Sequence, residues 1–113
     1  MGLGHTVPAG GLAELWTFFP DPWHKKRHHK RRLVTPAFAV LAARRLAVGG
    51  WWRLATDWAD YAEQMGEVLD AEPLLSGGVV ERWAERPVTK FERRGLAAGR
   101  TITDLAYRRS AER

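Results

Sequence analysis

Two successive strand-then-helix units constrain the fold of this chain more than any other feature. Residues 12–19, LAELWTFF, are aromatic and aliphatic and break at Pro20-Asp21-Pro22, the pattern of a buried strand. Thr35 followed by Pro36 reads as a helix N-cap with proline at the first helical position, where its missing N–H costs nothing. Val34, Ala37, Phe38, Leu41, Ala42 and Leu46 continue a helix over 35–47, and Gly49-Gly50 is expected to stop it. Residues 51–56, WWRLAT, give a second strand. Asp57 then caps a second helix, 58–71, whose inner face is Trp58, Tyr61, Ala62, Met65 and Leu69. Two such units imply parallel strands joined by crossovers, the pattern of an α/β sheet. Residues 74–108 carry turn signals at Ser76-Gly77-Gly78 and Gly95 and predict a closing antiparallel pair with a helical turn between its strands. With 113 residues, the chain makes one small domain, and Trp16, Trp51, Trp52, Trp58 and Trp83 are expected in its core.

Between the first strand and the first helix lies FFPDPWHKKRHHKRR, residues 18–32, expected to run as loop from 20 to 34. Asp21 is displayed on a stiff turn between two prolines. Directly behind it come six Lys or Arg residues and three His within nine positions. Charge is segregated along the whole chain: residues 1–23 carry −2, residues 24–53 carry +9, residues 54–85 carry −7 and residues 86–113 carry +5. Two basic zones flanking an acidic one suit a protein that grips phosphates with two loops. A carboxylate at the mouth of a cationic surface suits work on a polyanion with a polar reacting centre, and nucleic acid is the obvious candidate.

Other classes are disfavoured. Without cysteine there is neither a disulfide framework nor a thiolate metal site, and the composition fits a reducing compartment. His24, His28 and His29 have no Cys or carboxylate inside their block to complete a coordination shell, so no metal is expected. MGLGHTVPAGG has no basic n-region followed by an apolar one, and no run approaches bilayer-spanning length, so a cytoplasmic protein with no membrane partner is expected. A DNA-binding role lacks a helix-turn-helix or zinc pattern, and the basic run lies in a proline-bounded loop.

FPDPW, RHHKRR, the ATD of residues 55–57 and the TKFE of residues 89–92, in that order, resemble the tRNA (guanine-N7-)-methyltransferase family over residues 12–108. The resemblance implies a Rossmann-like class I methyltransferase fold and transfer of a methyl group from S-adenosylmethionine to N7 of a variable-loop guanine in tRNA. It implies that Asp21 is the active-site aspartate, close to both the methyl donor and the target guanine. Lys25 and Asp57 match substrate-binding positions, and Arg27, His28, His29, Lys30, Arg31 and Arg32 match the RNA-contacting run. Thr89, Lys90, Phe91 and Glu92 match a second substrate-binding segment. His24 stands where the family usually has proline, a departure expected to loosen the turn after Trp23 while leaving Lys25 in register.

Several of these residues also have structural readings. Asp57 is a plausible helix N-cap, and Thr89-x-x-Glu92 fits a capping box. Trp23 is a candidate wall for a base pocket.

A class I methyltransferase carries a glycine-rich turn after its first strand and an acidic residue at the end of its second. Neither is recognisable here, and Gly2-Leu3-Gly4 lies too close to Met1 to follow a strand. The chain therefore reads as the C-terminal half of such a fold, with strands 4, 5, 7 and 6, two crossover helices and an incomplete donor site. In that arrangement strand 12–19 becomes an exposed apolar edge open to self-association. A non-catalytic RNA-binding module is the alternative reading.

Overall fold

The helix announced by Thr35-Pro36 forms in the computed structural model, which describes residues 10–111; the reading of Gly2-Leu3-Gly4 lies outside them. Helix α1 spans Pro36–Arg45, and the Thr35 hydroxyl accepts a hydrogen bond from the Phe38 N–H at 3.2 Å, as its capping role requires. It is followed without a break by strand β2, Leu46–Thr56. The glycine pair expected to end α1 therefore lies inside a strand. A side chain at Gly50 would come within 2.9 Å of the Ala13 carbonyl oxygen on the neighbouring strand β1, Leu12–Phe18, and Gly49 adopts a left-handed φ of +82°. The pair lets the two strands meet where their register shifts, between Leu12 and Glu14.

Helix α2, Ala59–Asp70, buries Tyr61, Met65 and Leu69 at spacings of four. Strand β3, Leu75–Val80, helix α3, Lys90–Ala97, and strand β4, Thr103–Arg109, complete the order, so a full helix rather than a single turn joins the closing strands. The sheet runs β1-β2-β4-β3: β1 and β2 are parallel, and β4 is antiparallel to both its neighbours. This is the strand order expected of the second half of a class I methyltransferase sheet, with β1 at an edge.

Val34, Leu46, Trp52, Leu54, Leu105 and Tyr107 pack against Tyr61, Met65 and Leu69 to form the core. Trp52 is fully buried and donates its indole N–H to the Thr17 hydroxyl at 2.9 Å, so no polar atom is stranded by its burial. Of the other tryptophans expected there, Trp58 is partly buried and packs against this cluster, whereas Trp16 does not. Trp16 faces away from the helix-covered side, paired with Arg53, and stays 50% exposed. On that face Trp16 meets Trp83 edge-on at 5.3 Å, and the Arg53 guanidinium lies 4.2 Å from the Trp83 ring.

The basic run is not simple loop. Residues Lys26–Arg31 form a 3-10 helix, with Lys25 as its N-cap and Arg32 following it. Arg32 is 2% exposed: its guanidinium donates to the Pro22 carbonyl, to Gln64 Oε1 at 3.1 Å and to Asp60 Oδ1 at 3.0 Å. It also lies 4.7 Å from the centre of the Tyr61 ring. Arg32 therefore clasps the Pro-Asp-Pro turn to α2, with its guanidinium turned inward, unlike the exposed cations that precede it.

Candidate active site and nucleic-acid interface

Asp21 sits just beyond the C-terminal end of β1 and Asp57 just beyond that of β2, the position at which open α/β sheets hold ligands. Both carboxylates line one cleft of about 430 Å³, shared with Trp58, Phe91, Arg94 and Arg100. Asp21 is exposed, and one of its oxygens accepts the Trp23 N–H at 2.9 Å in a tight local turn. Phe19 and Trp23, on either side of the turn, have φ of +52° and +40°. Such angles cost bulky residues roughly 1–3 kcal/mol each and persist only where surrounding contacts enforce them.

Those contacts are identifiable. Arg86 is fully buried beneath the turn, its guanidinium 5.5 Å from the Phe19 ring and 5.9 Å from the Phe18 ring. It donates to Glu92 Oε1 and Oε2 at 3.0 and 3.2 Å and to Asp104 Oδ2 and Oδ1 at 2.8 and 3.0 Å. Arg82 adds two further bonds to Glu92, each 3.1 Å long. These hydrogen bonds from Arg82, with those from Arg86, hold the Glu92 carboxyl below its usual range against the opposing effect of burial. Glu92, expected in a substrate-binding segment, is thus 4% exposed and committed to two arginines. Thr89 caps α3 by accepting the Glu92 N–H at 3.3 Å, so only half of the expected capping box forms. Of the TKFE segment, Phe91 alone lines the cleft. Lys90 is exposed, its ammonium 5.4 Å from the Phe91 ring.

Asp57 does not cap α2. The capping position falls to Trp58, which makes no side-chain capping bond, and Asp57 Oδ2 instead accepts the Arg100 Nε–H at 2.7 Å. Trp58 packs against the core, as expected, and also lines the cleft, where the His24 ring stacks on it at 5.4 Å with an 11° interplanar angle and the Arg100 guanidinium lies 4.8 Å from its centroid. Trp58, Arg94 and Arg100 line the cleft although the sequence does not single them out as candidates. The signal for Arg100 was present in Gly99, which ends α3 at a left-handed φ of +79° and so fixes the residue after it.

Beside the cleft lies the cationic surface. Lys25, Arg27, Lys30 and Arg31 are exposed, while His28 and His29 are half-buried. Trp23, considered as a base-pocket wall, instead underpins this surface, with the Arg31 guanidinium 5.2 Å from its ring and His28 edge-on at 5.7 Å. His29 Nε2 lies 3.5 Å from Asp60 Oδ2. No cluster of three or more metal-ligating side chains occurs among the described residues, nor any helix long and apolar enough to cross a membrane.

The sheet order and its carboxylate-bearing strand ends define part of an α/β methyltransferase fold. The chain belongs to the family whose model, described as "Putative methyltransferase", matches residues 2–105. It is 77% identical over 107 residues to a tRNA (guanine-N(7)-)-methyltransferase of Nocardioides sp., covering 95% of this chain and 43% of that protein. Similarity extends to proteins of the same name from Cutibacterium acnes, 60% identical over 98% of this chain and 42% of the relative, and Methylococcus capsulatus, 56% identical over 96% and 49%. The chain thus spans a little under half the length of these relatives.

Methyltransferases of this kind use S-adenosylmethionine. Asp21 offers a carboxylate suited to a sulfonium's positive charge. Among the described residues, however, no glycine-rich turn links a strand to a helix N-terminus to receive the donor's amino-acid end.

Proposed function

We propose that this chain is the guanine- and RNA-binding part of a tRNA (guanine-N7-)-methyltransferase, acting in the cytoplasm. What carries the reading is the pairing of Asp21 and Asp57 in one cleft directly beside the exposed cations of residues 25–31.

The donor supplies the methyl group. Guanine N7 has an exposed lone pair, so its attack needs no proton removed, and the protein's task is alignment and charge stabilisation. Asp21, on its braced turn, favours the positive charge that develops on the purine. Asp57 accepts a hydrogen bond from the N1–H or amino group of the base, and Phe91 offers an apolar face for stacking. Lys25, Arg27, Lys30 and Arg31 hold the RNA backbone, with His28 and His29 at their base, and Arg32 and Glu92 act by fixing the elements that carry these groups. The role of Lys90 and Thr89 is confined to the rim and base of α3.

The outer edge of β1, unpaired among the described residues, and the half-exposed Trp16 on that strand support self-association of the isolated chain. The alternative, a non-catalytic RNA-binding module, rests on one observation, that no glycine-rich turn links a strand to a helix N-terminus among the described residues. Micromolar binding of S-adenosylmethionine to this chain alone, measured calorimetrically, would remove that support.

The function is tested by replacing the matched 107-residue region of the Nocardioides relative with this chain and assaying tRNA for guanine N7 methylation. Methylation that disappears with Asp21→Asn is expected. A folded chimera that binds tRNA and never methylates it would contradict the proposal.

A further inference from the structure

Asp57 is gripped from two sides by the C-terminal turn of α3. Helix α3 closes in a double-bonded left-handed turn: the Gly99 N–H donates to the Leu96 carbonyl at 3.0 Å and the Arg100 N–H to the Gly95 carbonyl at 2.9 Å. The residues joined by the outer bond, Gly95 and Arg100, are the two that touch Asp57. A Cβ on Gly95 would stand 2.8 Å from Asp57 Oδ2, 3.0 Å from its Cβ and 3.1 Å from its Cγ, so the carboxylate lies against bare helix backbone. From the other side Arg100 Nε holds the same Oδ2 at 2.7 Å.

The Arg100 guanidinium is itself packed against an aromatic ring. It lies 4.8 Å from the Trp58 ring centroid, and His24, three residues beyond Asp21, stacks on Trp58 at 5.4 Å. Ring contacts from His24 to Trp58 and from Trp58 to Arg100 thus link the turn that bears Asp21 to the side chain that binds Asp57. A guanidinium can rest against the ring while Nε donates to the carboxylate, a fixed fork that a lysine ammonium lacks.

We propose that Arg100 is a positioning residue that fixes the Asp57 carboxylate for reading the target base, with Gly95 supplying the space and the His24–Trp58 stack supplying the orientation. This rests on the proposed reading of the cleft as a guanine site. Oδ2 accepts from Arg100, and Oδ1, which takes no hydrogen bond among the described residues, is the oxygen left for a base. Its acceptor character selects a purine that offers donors on its Watson–Crick edge, and guanine differs from hypoxanthine there by the amino group alone.

The test uses this chain and two probes, guanosine monophosphate and inosine monophosphate, titrated by NMR. One charge-assisted hydrogen bond predicts a preference of wild type for the guanine nucleotide on the order of tenfold. Arg100→Met should reduce that preference to less than about threefold, while the slope of tRNA affinity against salt stays that of wild type, since the phosphate contacts are assigned to the cationic run. Arg100→Lys should restore part of it, because the charge returns without the plane. Gly95→Ala, which leaves Arg100 in place and displaces the carboxylate, should also abolish it, and decides the matter if Arg100→Met fails to fold. A merely structural role would shift both affinities together and leave their ratio unchanged. Equal discrimination by folded Arg100→Met or Gly95→Ala and wild type overturns the positioning role alone. Failure of wild type to discriminate overturns the guanine-site reading, and the role of Arg100 with it.

Discussion

Removing the Arg86 guanidinium should destabilise this protein more than almost any other single change. The side chain is fully buried and makes four hydrogen bonds of 2.8–3.2 Å to Glu92 and Asp104. In Arg86→Met, Asp104 is left without its guanidinium partner, and Glu92 retains only Arg82. Breaking a buried pair by deleting one partner costs about 3–5 kcal/mol, chiefly because an uncompensated charge remains in a low-dielectric site. A domain of this size has about 5–15 kcal/mol in all, so the loss is a large share of the total. Thermal unfolding followed by circular dichroism should show a midpoint lowered by more than about 10 °C, at roughly 4–8 °C per kcal/mol. Adding Asp104→Asn to Arg86→Met should recover part of the loss by removing the stranded charge. A single-variant loss under about 1 kcal/mol, or no recovery in the double variant, would refute this account of the cluster. The platform under Phe18 and Phe19 would then have to rest on apolar packing.

The same cluster sets an acid limit. Because hydrogen bonds hold the Glu92 pKa below its ordinary value of 4.5, its contribution to stability is full above that value and is lost as pH falls through the depressed one; denaturant titrations from pH 6 to pH 2 should show this loss shrink in Glu92→Gln. In a complete enzyme, Asp21→Asn should abolish turnover while leaving tRNA affinity within a few fold, since the change removes charge at the reacting centre and not at the phosphate contacts; comparable turnover would remove Asp21 from the mechanism. Neutralising Arg27 and Arg31 together should flatten the plot of log binding constant against log salt by about 1.4–1.8, and an unchanged slope would place the RNA elsewhere. Trp16→Lys on the edge strand should lower self-association of the isolated chain in sedimentation velocity, with its secondary structure intact.

Much of the fold was legible because local chemistry and tertiary demands agree. Thr35-Pro36 starts a helix by capping geometry alone, and the alternation of strand and helix fixes the parallel pairing of β1 with β2. Gly49-Gly50 misled because two glycines beyond an apolar repeat look like a helix stop, whereas here they serve a close approach between strands. Arg32 and Glu92 sit inside motifs whose neighbours are exposed, and nothing local distinguishes a charge that faces solvent from one that meets a buried counter-ion from a distant element. Arg32 finds Asp60, and Glu92 finds Arg86 across the loop after β3. The site was read through its carboxylates, which the proline-bounded turn and the strand ends reveal. Its other wall, from α3 and the residue after Gly99, depends on how the closing strands bring that helix back over the sheet.

The most direct measurement is an amide-resolved NMR titration of the labelled chain with tRNA. Bound RNA should perturb Asp21, Trp23, Asp57 and Phe91 together with residues 25–31, at a common affinity that weakens steeply with salt. Perturbations confined to the basic run, with Asp21 and Asp57 untouched at saturation, would contradict a base-binding cleft and leave a protein that only holds the backbone.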